Sequence, residues 1–146
     1  GFHDCHKELQ CAVLDVICVE KELRYLNFVE EIFFSYSGEV KLRALKTLSG
    51  IGYVKDISSF LHLCKSPIWQ ERMFTAKLLG SLKDLGGLPY LEDLLHDSSW
   101  WVRYQAGQSI SHFSNSKEVL RGILDNTNDP YARDMALEWL GADREG

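Results

Sequence analysis

Val102-Arg103-Tyr104-Gln105-Ala106-Gly107-Gln108-Ser109-Ile110-Ser111 is one of four copies of a single small pattern. The others are Val40-Lys41-x-x-Ala44-x-x-x-Leu48-Ser49, Glu71-Arg72-x-x-Thr75-x-x-x-Leu79-Gly80 and Ala132-Arg133-x-x-Ala136-x-x-x-Leu140-Gly141. Their basic residues lie 31, 31 and 30 positions apart. Self-similarity at a fixed period of this size is the signature of a solenoid, whose units bury their apolar faces only by stacking on one another. Within each copy the apolar residues recur at helical spacing, so the pattern is the first helix of a repeat.

Working outward, each unit reads as a helix pair. In one, Ser66-Pro67 supplies a cap and a first-turn proline, Ile68 to Leu82 is helical, Gly86-Gly87 breaks the chain, and Leu88-x-x-Leu91-x-x-Leu94-Leu95 begins the second helix. The next has Ser98 or Ser99 as cap, a helix to about Phe113, a turn at Ser114-Asn115-Ser116 and a helix from Lys117 to Leu124, with Asn115-x-x-Glu118 as a capping-box variant. The last begins at Asn128-Asp129-Pro130, is expected to stop at Gly141, and supplies one helix without a partner.

Shifting by 31 extends the pattern upstream: Val29, Ile32 and Phe33 answer Phe60, Leu63 and Cys64, and Val13 and Ile17 answer Ala44 and Leu48. Residues 5–36 are therefore predicted to be a degenerate first repeat, with Gln10 where later units carry Lys or Arg. The absence of Gly or Pro between Phe2 and Ser37 leaves one long helix as the rival. The expected fold is all-α, a right-handed superhelix of about nine helices in four to five pairs. It forms one domain over residues 1–146, with full repeats at 37–65, 66–96 and 97–125 and a terminal half-repeat at 126–141.

Trp100-Trp101-Val102-Arg103-Tyr104-Gln105-Ala106 and Asp129-Pro130-Tyr131-Ala132-Arg133-Asp134-Met135-Ala136 resemble the first helices of short HEAT-like repeats, the bacterial and archaeal kind also found in phycobilin lyases. Leu88-Pro89-x-Leu91-x-x-Leu94-Leu95-x-Asp97 resembles the matching second helix and turn. The resemblance is specific over 66–141, fair over 37–65 and weak before that. The paired tryptophans and the Asp-Pro-Tyr-Ala-Arg segment are also similar to bacterial HEAT domains that follow a membrane span on its cytoplasmic side. Glu71, where the family has an aliphatic residue, and Gln10 are departures. The tetratricopeptide and ankyrin signatures do not fit.

Composition narrows the function. The 146 residues are 45% apolar and 25% charged, with a net charge of −5, an ordinary soluble balance and the opposite of the basic stripe a nucleic-acid binder carries. Cys5, Cys11, Cys18 and Cys64 have no zinc-site spacing and are too sparse for a disulfide scaffold, which points to reduced thiols in the cytoplasm. The longest apolar run, Cys11 to Val19, is too short to span a membrane, and no stretch reads as a signal peptide. A start at Gly rather than Met predicts an excerpt of a longer sequence, with room for an anchor outside it. His3, Asp4, Cys5, His6 and Cys11 are the one cluster with metal-ligand types, and their spacing matches no closed site. The segment is terminal and expected to be mobile. No nucleophile elbow, phosphate-cradling loop or paired acid and base is legible, so no catalytic residue, metal or cofactor is expected.

The expected role is a non-enzymatic scaffold or adaptor that presents a helical-repeat surface to a protein partner, without nucleic acid or membrane contact by this segment. Alternatives are a bilin-lyase-like or other small-molecule-handling protein and a nucleic-acid-binding repeat. Arg72, Arg103 and Arg133 sit one turn into successive first helices, beside turns that often carry Asp, and are expected to tie repeats together. On that reading Arg103→Ala lowers thermal stability before it affects binding. Trp69, Trp100, Pro130 and Gly38 occupy equivalent helix starts. Adjacent Trp100 and Trp101 diverge by about 100°, so at least one, expected to be Trp101, is exposed. The candidate contacts are Trp101, Tyr104 and Tyr131 on the aromatic side and Tyr90, Asp93 and His96 on the second helices, where the acidic tilt suits a basic or mixed partner. Met135, Leu137 and Trp139 on the uncovered last helix leave room for a homodimer.

Overall fold

The computed structural model describes residues 1–145, the last four of them by their backbone. Among the described residues there are eight α-helices and no strand, and a short 3-10 helix, Leu61–Lys65, stands in the ninth position of the repeat plan. The chain divides into two compact units, Gly1–Ser59 and Phe60–Gly146.

The first unit contains α1 (Lys7–Glu20), α2 (Leu26–Ser35) and α3 (Gly38–Ile51), with α3 packed against both α1 and α2. Residues 5–36 are thus a helix pair rather than one long helix. The break falls at Lys21, which adopts φ 57° and donates its N–H to the Ile17 carbonyl. Gly52 ends α3 in the same way, at φ 80° with its N–H on the Leu48 carbonyl, and Lys83 ends α4 (Trp69–Leu82) at φ 54° with its N–H on the Leu79 carbonyl. The three left-handed caps recur every 31 residues, so the period governs helix ends as well as helix faces. Leu14, Val29, Phe33, Ala44, Leu45 and Leu48 form the core. Glu30 is buried there too, where its carboxylate accepts the Lys55 N–H.

The second unit contains α4, α5 (Leu88–Leu94), α6 (Trp100–Ser111), α7 (Ser116–Asn126) and α8 (Pro130–Glu145). First helices stack on first helices, α4 on α6 and α6 on α8, while α5 packs on α6 and α7 on α8. Leu78, Leu91, Leu95, Ala106, Ile110, Leu120 and Ala136 are buried between them. Close approach is built in by small residues. A Cβ on Gly80 would stand 2.5 Å from the Ser109 Cβ and 2.8 Å from its Cα. Across the same contact the Ser109 hydroxyl donates to the Ala76 carbonyl at 2.8 Å. In the first unit the equivalent residue, Thr47, donates to the Leu14 carbonyl at 3.0 Å.

Three expectations need correction. In place of a full second helix there are two short 3-10 segments, Ile57–Ser59 and Leu61–Lys65, and Asp56 holds the first by accepting the Ser58 N–H and both the Ser58 and Ser59 hydroxyls. Helix α3 belongs to the first unit and Leu61–Lys65 to the second. Helix α8 runs through Gly141 to Glu145. The Asn115-x-x-Glu118 capping box does not form: Asn115 makes no side-chain cap bond, and its Oδ1 is buried without a hydrogen-bond partner.

Candidate functional site

The repeated arginines work on the turns. Arg72 donates from Nε and Nη2 to the two Asp97 carboxylate oxygens, at 2.7 and 3.0 Å, and from Nη1 to the Ser66 carbonyl at 2.7 Å. Both side chains of this bidentate pair are largely buried. Arg103 repeats the carbonyl bond six residues back, from Nη1 to Asp97 at 2.8 Å, and its guanidinium lies 4.9 Å from the centre of the Tyr131 ring. Its Nε is buried without a partner. Arg133 reaches the Leu124 carbonyl at 3.0 Å. Lys41 covers the Phe33 ring instead, and Gln10 donates to the Phe2 carbonyl and the Tyr36 hydroxyl. Glu71 accepts the Ser66 hydroxyl at 2.6 Å, which explains how a carboxylate is tolerated in an aliphatic position of the repeat.

The aromatic side is a connected cluster on α6 and α8. Trp100 stacks on Tyr104 with ring centres 5.1 Å apart, Trp101 meets Trp100 edge-on at 4.9 Å, and Tyr104 leans on Trp139 at 5.1 Å. Trp100, Trp101 and Tyr131 are 49%, 58% and 63% exposed. Trp100, Tyr104, Tyr131, Asp134, Met135 and Glu138, with Arg103, line a recess of about 300 Å³. Its carboxylates, one helical turn apart on α8, went unnoticed in the sequence. Their one signal was the four-residue spacing in the helix after Pro130.

The structure does not leave all three expected α8 residues uncovered. Met135 is buried, and Trp139 lies against Gly107, whose missing side chain makes its room. Leu137 alone of the three is exposed, at 49%. Helix α6 covers Trp139 through Gly107 and Tyr104.

On the second-helix side, Tyr90, Asp93 and His96 fall into different settings. Tyr90 is half-buried in a recess of about 420 Å³ with Cys64, Lys65, Pro89, Asp93, Leu94 and Asp97. Exposed Asp93 also lines a groove of about 440 Å³ between α5 and α7, together with Glu92, His96, Glu118, Asn126 and Thr127. That groove presents three carboxylates and no Lys or Arg. His96 has both ring nitrogens engaged: Nδ1 lies 3.0 Å from the Glu92 carbonyl and Nε2 lies 2.9 Å from the Thr127 hydroxyl. A carbonyl can only accept, so Nδ1 donates, and in the neutral ring Nε2 accepts from Thr127. His96 and Thr127, 31 positions apart, therefore join successive turns.

Burial pushes the Cys64 thiol up to about 11, with nearby Asp93 adding to the rise. Cys11 is raised as well, chiefly by burial. Neither is the low-pKa thiol that a nucleophile requires. At the N-terminus, the His3 ring stacks on Tyr36 and shares a hydrogen bond with its hydroxyl, and Phe2 packs edge-on to Phe28. The expected mobile end is thus held by rings. Among the described residues no three His, Cys, Asp or Glu side chains converge as metal ligands, and no helix is long and apolar enough to cross a membrane.

Stacked helix pairs, hydroxyl-to-carbonyl ties between first helices and arginines on the inter-repeat turns define an all-α helical-repeat protein. The family model described as HEAT repeats matches residues 60–141, more than half of the chain, so the chain belongs to the HEAT-repeat family. A search of curated proteins returned no match.

Proposed function

We propose that this chain is a non-enzymatic adaptor that binds a protein partner through its repeat surface. HEAT repeats generally mediate protein interactions, and HEAT-repeat proteins are typically non-catalytic scaffolds. The observation that carries the reading is the exposed cluster of Trp100, Trp101 and Tyr131 beside the recess between α6 and α8. Large aromatic side chains left in water are unfavourable for an isolated surface, and Trp and Tyr dominate the energetic centres of interfaces. Helices held by their own packing also lose little conformational freedom on binding. Trp101 and Tyr131 are the contact residues of this face, and Tyr104 supports them from its stack. Asp93, Tyr90 and the carboxylate-lined groove form a second face suited to a basic or mixed partner.

The test is an affinity capture from the source lysate with wild type beside Trp101→Ala and Asp93→Lys. Both positions are exposed, so circular dichroism melts are expected to coincide within about 0.5 kcal/mol of stability. One specific protein should be retained by wild type and lost with one of the two variants, which identifies the working face. A bilin or nucleic acid co-purifying in place of any protein would replace the adaptor reading with one of the two alternatives.

A further inference from the structure

Helix α7 carries a glycine that its own fold does not require. Gly122 lies in the interior of Ser116–Asn126, its φ is not positive, and a Cβ there would meet nothing within 4 Å. Glycine weakens a helix interior, and it otherwise serves where a neighbour or ligand comes close to the backbone. Gly80 and Gly107 show the usual internal reason, since a Cβ on either would strike the next first helix. Gly122 instead opens on the groove between α5 and α7. Nor does helix stacking claim that position. Asp93 stands to buried Leu91 and Leu94 as Gly122 stands to buried Leu120 and Ile123, and Asp93 is exposed although α7 follows α5.

The rest of the groove has one chemical character. Its lining holds the carboxylates of Glu92, Asp93 and Glu118 and no Lys or Arg, while Lys117 and Arg121 line a recess on the other flank of α7. Among the described residues none of these carboxylates is in an ion pair. Asn115 adds a side-chain oxygen that is buried without a donor. The one ring in the groove, His96, has both nitrogens engaged, by the Glu92 carbonyl and the Thr127 hydroxyl. Val119 and Ile123 supply apolar lining beside the acidic groups. Unpaired negative charge, acceptors in excess of donors and an apolar strip suit a side chain with an aliphatic stem and a cationic head. The space over Gly122 admits main chain. We propose that this groove docks an extended segment of a partner protein. An Arg or Lys of that segment lays its stem on Val119 and Ile123 and its cation on Asp93 and Glu118, with the main chain passing over Gly122. The proposal rests on the adaptor reading and commits its second-helix face to one occupant.

Fluorescence anisotropy with the whole chain and two short labelled peptides tests this. One peptide alternates glycine with arginine, the other glycine with glutamate. The arginine peptide is expected to bind at least about tenfold more tightly. Gly122→Leu changes no charge and fills the groove, so it should weaken that binding by about tenfold or more. Its melting temperature should hold or rise, because leucine favours the helix over glycine. Glu118→Gln should weaken binding by about threefold or more, whereas Glu31→Gln, the same charge change at an exposed site of the first unit, should not. Equal binding of both peptides, no binding of the arginine peptide, or wild-type binding by Gly122→Leu would each overturn the proposal. Equal losses for Glu118→Gln and Glu31→Gln would do the same, since the attraction would then be diffuse. Spermidine competing more tightly than the peptide would assign the groove to a small polyamine instead. A partner captured from lysate in an Asp93-dependent way, with the arginine peptide unbound, would remove this proposal and leave the adaptor reading standing.

Discussion

At the residue scale, the arginines that mark the repeat in the sequence differ in what they hold. Arg72 closes a bidentate, largely buried pair with Asp97, while Arg103 has one carbonyl and the face of Tyr131, and exposed Arg133 has one carbonyl. Removing one member of a buried pair leaves the other charge without compensation, at a cost of about 3 kcal/mol. Loss of a hydrogen bond and a ring contact costs about 1–2 kcal/mol. Urea unfolding should therefore rank Arg72→Ala as the most destabilised variant, then Arg103→Ala, then Arg133→Ala; equal midpoints would refute the ranking. Cys64 supplies a second prediction. Its thiol is raised from 9.0 to about 11 by burial, with Asp93 contributing. Between those values the folded state holds a proton that the unfolded state has released. Its contribution is therefore intact below pH 9 and is lost as pH rises through 11. Iodoacetamide at pH 8 should label half-buried Cys5 and Cys18 well before Cys64. Early labelling of Cys64 in the folded chain would contradict its burial.

At the scale of elements, the left-handed caps at Lys21, Gly52 and Lys83 show a period written in backbone conformation as well as in side chains. A side chain in that conformation costs about 1–2 kcal/mol, whereas glycine enters it freely. Glycine in turn gains about 0.5–1 kcal/mol of freedom in the unfolded chain. The first effect is the larger, so Lys83→Gly is expected to stabilise by about 0.5–1 kcal/mol, seen as a higher melting temperature. A lower one would mean that the Lys83 side chain contributes a contact exceeding the conformational gain. The same caps explain why the break in residues 5–36 was hard to see. With neither Gly nor Pro to mark it, the one available signal was that Lys21 stands 31 residues before Gly52.

At the scale of the whole molecule, the two candidate faces of the second unit differ in chemistry. The α6 and α8 side is aromatic and partly acidic, and the groove between α5 and α7 carries three carboxylates. A neutral or apolar partner anchor should respond to Trp101→Ala with little dependence on salt. A basic partner held over Asp93 should weaken as ionic strength rises, because exposed charges are screened within about 10 Å at 0.1 M salt. A salt titration of the captured complex separates the two.

The sequence by itself determined the helical class, the 31-residue period, the first helices and the positions of the arginines, because periodic burial imposes periodic residue types. It also carried the aromatic side, since two adjacent tryptophans cannot share one buried direction. Only the tertiary structure decided that Asp97 is the carboxylate that meets Arg72. It also decided that Trp139 packs into the room left by Gly107 of α6. These are contacts between residues distant in the chain. A repeat fixes which face each helix offers, but whether a neighbour covers that face depends on how the helices are arranged in space.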